Sequence, residues 1–357
     1  MSDTMYDYIF EQPEALRRVF EYREEDGQTF VKQYSKVKPK RVYLIGSGSS
    51  LNAAKAAAPV MEKMLKVEVT PAASSAIPKL WEENVFLIFI SQGGNSTNTV
   101  QAIQQYSRYP HIALTGMETC AVNAITDHVL IRCGEEKAGP KTKGYVSTFF
   151  LLCCLGLEAG RKSGSISEEE YQKVVFKGSQ AIGRMKENIQ IVCSWFEKQA
   201  EEMKKIEKCV CVGKHMGRAA ALESALKLQE TLLIPASGYE YEEFLHGPDM
   251  ALDEKMAGLY LLPEQTDPDY ERFVGLVTYH RSKSPYVYTV GGGPQFDTDK
   301  DLKIGEEDSE EWKLFSWCLP SQIMGARIPS LVGKEGKGHI IFEELDEILT
   351  IKAKKQK

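Results

Sequence analysis

The 357-residue sequence has no apolar stretch approaching the roughly 18 uninterrupted residues a membrane helix needs, although 43% of its residues are apolar. Its opening, MSDTMYDYIFEQPEALRR, puts Asp3, Asp7 and Glu11 where a secretory leader requires a basic and then an apolar run. The expectation is a cytoplasmic protein with no membrane partner. Basic charge is not in excess either. Forty-four Lys+Arg against 50 Asp+Glu leave a formal charge of −6, whereas nucleic-acid domains carry a basic face and a pI above about 9. No nucleic-acid partner is expected. The eight cysteines, at positions 120, 133, 153, 154, 193, 209, 211 and 318, make no CxxC pair and sit mostly in apolar runs. They read as small buried hydrophobes. Cys209 and Cys211 alternate with Val210 and Val212 on a strand-like run, and no metal site is assigned. What remains is an ordinary globular composition, long enough for two domains that bury full cores without disulfides or metals.

Residues 1–34 have mixed apolar spacing and many charges, as in a short helical segment. Arg41–Ile45 (RVYLI) then reads as a strand, Gly46-Ser47-Gly48-Ser49-Ser50 as a tight loop, and the Ala-rich Leu51–Lys66 as a helix packed on a sheet. The order recurs at Val85–Ile90 (VFLIFI), Ser91–Ser96 and Thr97–Tyr106, and two strand-loop-helix units imply a parallel sheet. Strands at His111–Leu114 and His128–Ile131 and a helix from Ser147 to Leu157 complete a domain over 35–165, closed by the polar break RKSGSISEEE. A helical connector spans 166–205. A second domain over 206–350 opens with Lys208–Val212, Gly213–Gly217 and the helix Arg218–Leu232, repeating the first design 167 residues on. Strands at Gly258–Leu262 and Val287–Val290 and a helix near Pro320–Leu331 follow, and the tail 351–357 is basic and expected to fray.

Loops at the ends of parallel strands present unpaired backbone N–H groups at a helix N-terminus, an arrangement that attracts anions. In the first domain both loops are rich in hydroxyls, with Ser47, Ser49 and Ser50 on one and Ser91, Ser96 and Thr97 on the other. Neither matches GxxxxGK[ST] or GxGxxG, which removes support for nucleoside triphosphates and dinucleotides. Two such loops suggest one small phosphate monoester. Either loop alone reads equally well as a turn with helix caps.

The motifs GSGSSLN (46–52), SQGGNST (91–97), GYVST (144–148), ALESALKLQE (221–230) and EEFLHGP (242–248) resemble those of sugar isomerase (SIS) domain proteins. The likeness is to tandem SIS domains, as in the isomerase half of glucosamine-6-phosphate synthase and in fructosamine-6-phosphate deglycases, and it covers about residues 40–350. It implies an α/β fold of two tandem SIS domains, each a parallel sheet flanked by helices in a three-layer, flavodoxin-like α/β/α arrangement. It also implies that Ser49, Ser50, Ser91, Gln92, Gly93 and Ser96 hold the phosphate, with Gly93 replacing a serine by a backbone donor. Val146 and Ser147 would touch the sugar chain, Lys227 and Glu230 would face the reacting end, and His246 would come from the partner subunit of a homodimer or dimer of dimers. The second domain has no serine loops, since Gly213-Lys214-His215 and Leu262-Pro263-Glu264 stand in their places. One phosphate pocket per chain and no cofactor are expected.

Moving a proton between C1 and C2 of an open-chain sugar needs a carboxylate base and a group that protonates sugar oxygens. Glu230 and His246 supply these types, Lys227 lies at i,i+3 from Glu230, and Glu243 could orient the imidazole. Without the family likeness, Glu223, Lys227 and Glu230 would read as a solvated helix face with weak ion pairs. Tyr239 and Tyr241 suit substrate packing or an interface core equally, and the histidines at 111, 128, 215, 280 and 339 read as structural. Three departures from the synthase stand out: no room for a glutaminase domain before residue 40, Phe149 in place of a lysine, and a tail whose Lys352, Lys354 and Lys355 cannot be placed as its Schiff-base lysine. The resulting expectation is an enzyme on a 6-phosphorylated amino sugar, either a fructosamine- or glucosamine-type deglycase or an aldose-ketose isomerase. A sugar-phosphate sensor without turnover is the alternative.

Overall fold

The computed structural model describes residues 4–81, 84–296 and 298–353. Helices α1 (Met5–Phe10), α2 (Gln12–Glu21) and α3 (Arg23–Val37) precede β1 (Arg41–Gly46), α4 (Ser49–Leu65), β2 (Glu68–Ala73), β3 (Val85–Ile90), α5 (Thr97–Gln105), β4 (His111–Thr115) and β5 (His128–Leu130). Then come α6 (Lys143–Ser163), the 36-residue α7 (Glu168–Met203), β6 (Lys208–Gly213), α8 (Met216–Leu232), β7 (Ala236–Glu240) and α9 (Tyr241–Phe244). The chain closes with β8 (Met256–Leu261), α10 (Tyr270–Lys283), β9 (Val287–Val290), β10 (Asp301–Leu302), α11 (Lys313–Trp317), α12 (Leu319–Leu331) and α13 (Lys337–Leu349). Two compact units result, one of Glu11–Ser179 with Ile340–Lys357 and the other of Met1–Phe10 with Gln180–His339. They part inside α7, where the sequence suggested a break at residues 163–165.

Each unit holds a five-stranded, all-parallel sheet, ordered β2-β1-β3-β4-β5 in the first and β10-β9-β8-β6-β7 in the second. The two orders are the same once the strands are matched in sequence. β1 and β6, like α4 and α8, begin 167 residues apart, so the expected duplication is present. Central strands β3 and β8 are buried at every position, because helices cover both faces of a parallel sheet and leave no solvent face for polar alternation. Edge strands β2 and β7, half exposed and rich in polar or small residues, were not anticipated, since their runs lack that apolar signature.

In the first unit α6 is the central helix, buried from Lys143 through Gly160. It extends a turn beyond each end of the expected 147–157 span, because α2, α3 and α4 cover it. Its Gly160 lies against the Met64 carbonyl of α4, and a Cβ on Gly156 would sit 3.0 Å from the Met61 side chain. Glycine and the alanines of α4 let these two helices approach closely. The tail corrects a second expectation. Residues 350–353 do not fray: Thr97 donates to the Ile351 carbonyl at 3.1 Å, Ala353 donates to that of Asn95 at 2.7 Å, and Ser96 and Lys352 form an antiparallel bridge. Lys354 and Lys355 lie outside the described residues.

Candidate functional site

The order of the first sheet reverses between β1 and β3, and the crevice beyond such a switch point is where open α/β sheets bind ligands. Both hydroxyl-rich loops leave from these strands. Asn98, a residue the sequence reading did not single out, ties them together by donating from Nδ2 to Ser47 Oγ at 2.8 Å. Ser91 Oγ and Ser96 Oγ are 3.4 Å apart, and Ser91 and Gln92 are buried while Ser49, Ser50 and Ser96 are half-buried. Among the described residues neither N-cap, Gly48 of α4 or Ser96 of α5, makes a side-chain cap hydrogen bond. That observation weakens the reading of Ser96 as a helix cap, and the first amide of α5, that of Thr97, is taken by the Ile351 carbonyl of the tail. Gly93 is exposed, and a Cβ built on it meets no atom within 4 Å.

Val146 and Ser147 lie fully buried on α6, and Ser147 Oγ has no hydrogen-bond partner among the described residues. The N-terminus of α6 is closed by Glu136, whose carboxylate accepts from the Thr142 amide at 2.7 Å, the Thr142 hydroxyl at 2.8 Å and the Gly144 amide at 2.8 Å. Lys352, which the sequence alone could not place, is within 3.5 Å of Ser96 Oγ. Burial lowers the pKa of its ammonium, with Asp346 acting partly against that shift. No pattern in the sequence signals this contact, because it depends on a tail strand returning over 250 residues of chain.

In the second unit, α8 places Glu223, Lys227 and Glu230 along one face. Lys227 is completely buried, with Nζ 3.2 Å from Glu223 and 2.6 Å from Glu230. Burial alone would depress this ammonium, but the two carboxylates outweigh it and its pKa is raised. Glu223 is equally buried, whereas the Glu230 side chain is about one-third (36%) exposed. Glu223, noted in the sequence only as part of a solvated face, is thus a full member of the cluster. His246 is exposed on the turn after α9 and makes no side-chain hydrogen bond among the described residues. Glu243 does not bond to its ring; it donates its backbone amide to Glu240, the N-cap of α9. Tyr241 is buried in the second core, and Tyr239 packs against that core's edge.

The second sheet's counterpart of the serine loops is occupied by the chain's own charges. Met216, the first residue of α8, donates its amide to Glu310 at 3.0 Å, and Lys214 is held by Asp267 and Asp269 at 2.7 and 2.6 Å. Among the described residues no cluster of His, Cys, Asp or Glu could hold a metal, and no helix is long and apolar enough to cross a membrane.

Hydroxyl-lined loops at the switch point of one parallel sheet, followed by a duplicated sheet, define a tandem α/β protein. Residues 37–156 match the family model described as the SIS domain, and the two parallel five-stranded sheets match the fold of two tandem SIS domains. A glutamine–fructose-6-phosphate aminotransferase (isomerizing) of Chlamydia caviae is 25% identical over 304 residues, 81% of this chain and 49% of that protein. Its namesake in Bradyrhizobium diazoefficiens is 31% identical over 185 residues, 49% of this chain and 29% of that protein. The chain therefore spans about half the length, or less, of these curated relatives. Among solved structures, a Clostridium difficile 630 protein provisionally named a phosphosugar isomerase superposes with a TM-score of 0.85 at 28% identity, covering 95% of this chain and 98% of that one. The C-terminal domain of glucosamine-fructose-6-phosphate aminotransferase from Francisella tularensis shares the fold, with a TM-score of 0.79 at 17% identity and coverage of 92% and 96%.

Proposed function

We propose that the protein processes a 6-phosphorylated amino sugar, as a fructosamine- or glucosamine-type deglycase or an aldose-ketose isomerase. The observation that carries this reading is the Glu223–Lys227–Glu230 cluster. A lysine with no solvent contact is costly to bury, and a strongly perturbed charge next to a partly exposed carboxylate is a common mark of acid-base sites. In this reading Ser49, Ser50, Ser91, Gln92, the Gly93 amide and Ser96 receive the phosphate, Val146 and Ser147 border the sugar chain, and Lys227 holds Glu230 ionised and oriented. Glu230 takes the proton from C1 of the open chain and returns it to C2. For a ketosamine this turns the C2 carbonyl into a hydroxyl and the C1–N bond into an imine, and water then releases the amine and leaves an aldose phosphate. His246 protonates and deprotonates the sugar oxygen during ring opening. Its exposure suits a residue that serves the partner of a homodimer.

Lys352 extends the proposal, because an amine with a lowered pKa beside Ser96 is available as a nucleophile toward an open-chain carbonyl. The test is product analysis by NMR with fructoselysine 6-phosphate, glucoselysine 6-phosphate, glucosamine 6-phosphate and fructose 6-phosphate, alongside thermal-shift binding. Release of free amine or interconversion of aldose and ketose is expected. Stabilisation by these ligands with no product from any of them would leave the sugar-phosphate sensor, which the serine loops alone also support.

A further inference from the structure

Helix α13 and the tail after it break the local rules of a helix end. The second half of α13 carries Glu343, Glu344, Asp346 and Glu347, with no basic residue in the last turn, although the helix dipole disfavours acids there. Its apolar residues Ile340, Ile341, Phe342, Leu345, Ile348 and Leu349 are exposed, whereas Asp346 is half-buried. Thr350, which follows the last helical residue, has φ +50°. That left-handed position favours glycine or asparagine, and a β-branched residue in it is an outlier. Strain of this kind persists only where other contacts hold it.

Asp346 and the SQGGNST loop make those contacts. The Asp346 carbonyl accepts from the Thr350 amide at 2.8 Å, and its Oδ1 accepts from the Lys352 amide at 2.7 Å. On the other side of the tail strand, Thr97 donates to the Ile351 carbonyl and Ala353 to that of Asn95, so Ser96 and Lys352 stand opposite each other without exchanging a backbone bond. In such a pair the side chains are close and the backbone N–H groups point outward. This brings Lys352 Nζ to 3.5 Å from Ser96 Oγ and turns the Lys352 amide toward Asp346. A slip of one residue would put Ile351 or Ala353 opposite Ser96 and send the lysine to the other face of the strand.

We propose that Asp346 is a positioning residue that sets the register of the tail strand, so that Lys352 and not a neighbouring residue faces Ser96. This rests on the reading above, in which the Lys352 amine meets an open-chain carbonyl at that loop. A carboxylate suits the task because a charged acceptor holds a backbone amide more strongly than a neutral one. That bond offsets the cost of an acid near the helix C-terminus and of a threonine in the left-handed region.

Hydrogen–deuterium exchange of the intact protein, read by mass spectrometry on peptides from the tail, the SQGGNST loop and α6, tests this with Asp346→Ala and Asp346→Asn. In Asp346→Ala the Lys352, Ala353 and Thr97 amides should exchange about tenfold faster, the scale of one lost hydrogen bond to a charged group, while α6 is unchanged. Asp346→Asn keeps an acceptor and should restore most of the protection. Borohydride reduction with fructose 6-phosphate is the second arm: the adduct on Lys352 should be largely lost in Asp346→Ala and persist in Asp346→Asn. An unmodified protein that forms no adduct overturns the role given to Lys352, while exchange still decides that of Asp346. The proposal is overturned by unchanged tail exchange in Asp346→Ala, by acceleration that spreads equally to α6, or by failure of Asp346→Asn to restore protection.

Discussion

Lys227 is the residue whose surroundings say most about chemistry. Its ammonium is shared by two carboxylates, one sealed with it inside the unit and one reaching solvent. Removing Glu230 leaves Lys227 paired with Glu223, so Glu230→Gln should keep the fold and ligand binding while lowering kcat at least about a hundredfold, the usual scale for a lost acid-base group. Retained turnover in a folded Glu230→Gln would refute the assignment. Lys227→Met behaves differently, because it takes from the fully buried Glu223 the cation 3.2 Å away; a loss of about 3–5 kcal/mol in urea unfolding is expected. At Gly93 the open space permits a side chain, and Gly93→Ser should tighten fructose 6-phosphate binding by adding a hydroxyl donor. A calorimetric Kd that is unchanged or weaker would remove Gly93 from the phosphate loop. His280 contributes a pH dependence. Burial lowers its pKa to about 4, against a smaller opposing effect of its 3.1 Å bond to the Met256 carbonyl. The unfolded chain binds this proton more readily than the folded one, so stability from this site is complete above about pH 6.5 and falls as pH drops toward 4, by up to a few kcal/mol. In His280→Phe that part of the acid sensitivity should disappear from denaturation midpoints measured across this range.

Among the elements, the short tail strand at 350–353 has the most direct bearing on the site. It pairs with the SQGGNST loop through main-chain bonds on both sides of Ser96 and also receives the Thr97 hydroxyl at 2.7 Å. Lys352→Met keeps these backbone bonds and removes only the amine. Borohydride reduction in the presence of fructose 6-phosphate should therefore trap a covalent sugar adduct on the unmodified protein and not on Lys352→Met, as read by intact mass. An adduct of equal yield in both would place the reacting amine elsewhere. The strands of both sheets were legible because fully buried parallel strands are continuous apolar runs, as in RVYLI and VFLIFI. The edge strands and the tail strand carry no such pattern, since half-exposed backbone pairing places little demand on side chains.

For the molecule as a whole, the exposed His246 raises the question of which protomer it serves. If the site is shared across a homodimer, mixing Glu230→Gln with His246→Ala restores intact sites in the mixed dimers, to about a quarter of native activity at equal proportions for a symmetric pair. No recovery after subunit exchange would assign both groups to one chain. The duplicated sheets also diverged in a way that charge explains: the first keeps hydroxyls at its switch point, while the second places Glu310 on the α8 N-terminus. A carboxylate there satisfies the helix dipole internally and leaves no place for an external anion.

The sequence by itself determined the two parallel-sheet units, their duplication, and the chemical type of each loop, because periodicity, glycine placement and hydroxyl content are local properties of the chain. It also set Lys227 and Glu230 one turn apart on a helix. Tertiary structure decided what those residues experience. Whether Glu223 and Lys227 form a solvated face or a sealed ion cluster depends on what packs over α8, and whether Lys352 is a frayed cation or a desolvated amine at Ser96 depends on a contact between segments more than 250 residues apart. Burial and long-range contacts set dielectric and pKa, and neither is encoded in spacing along the chain.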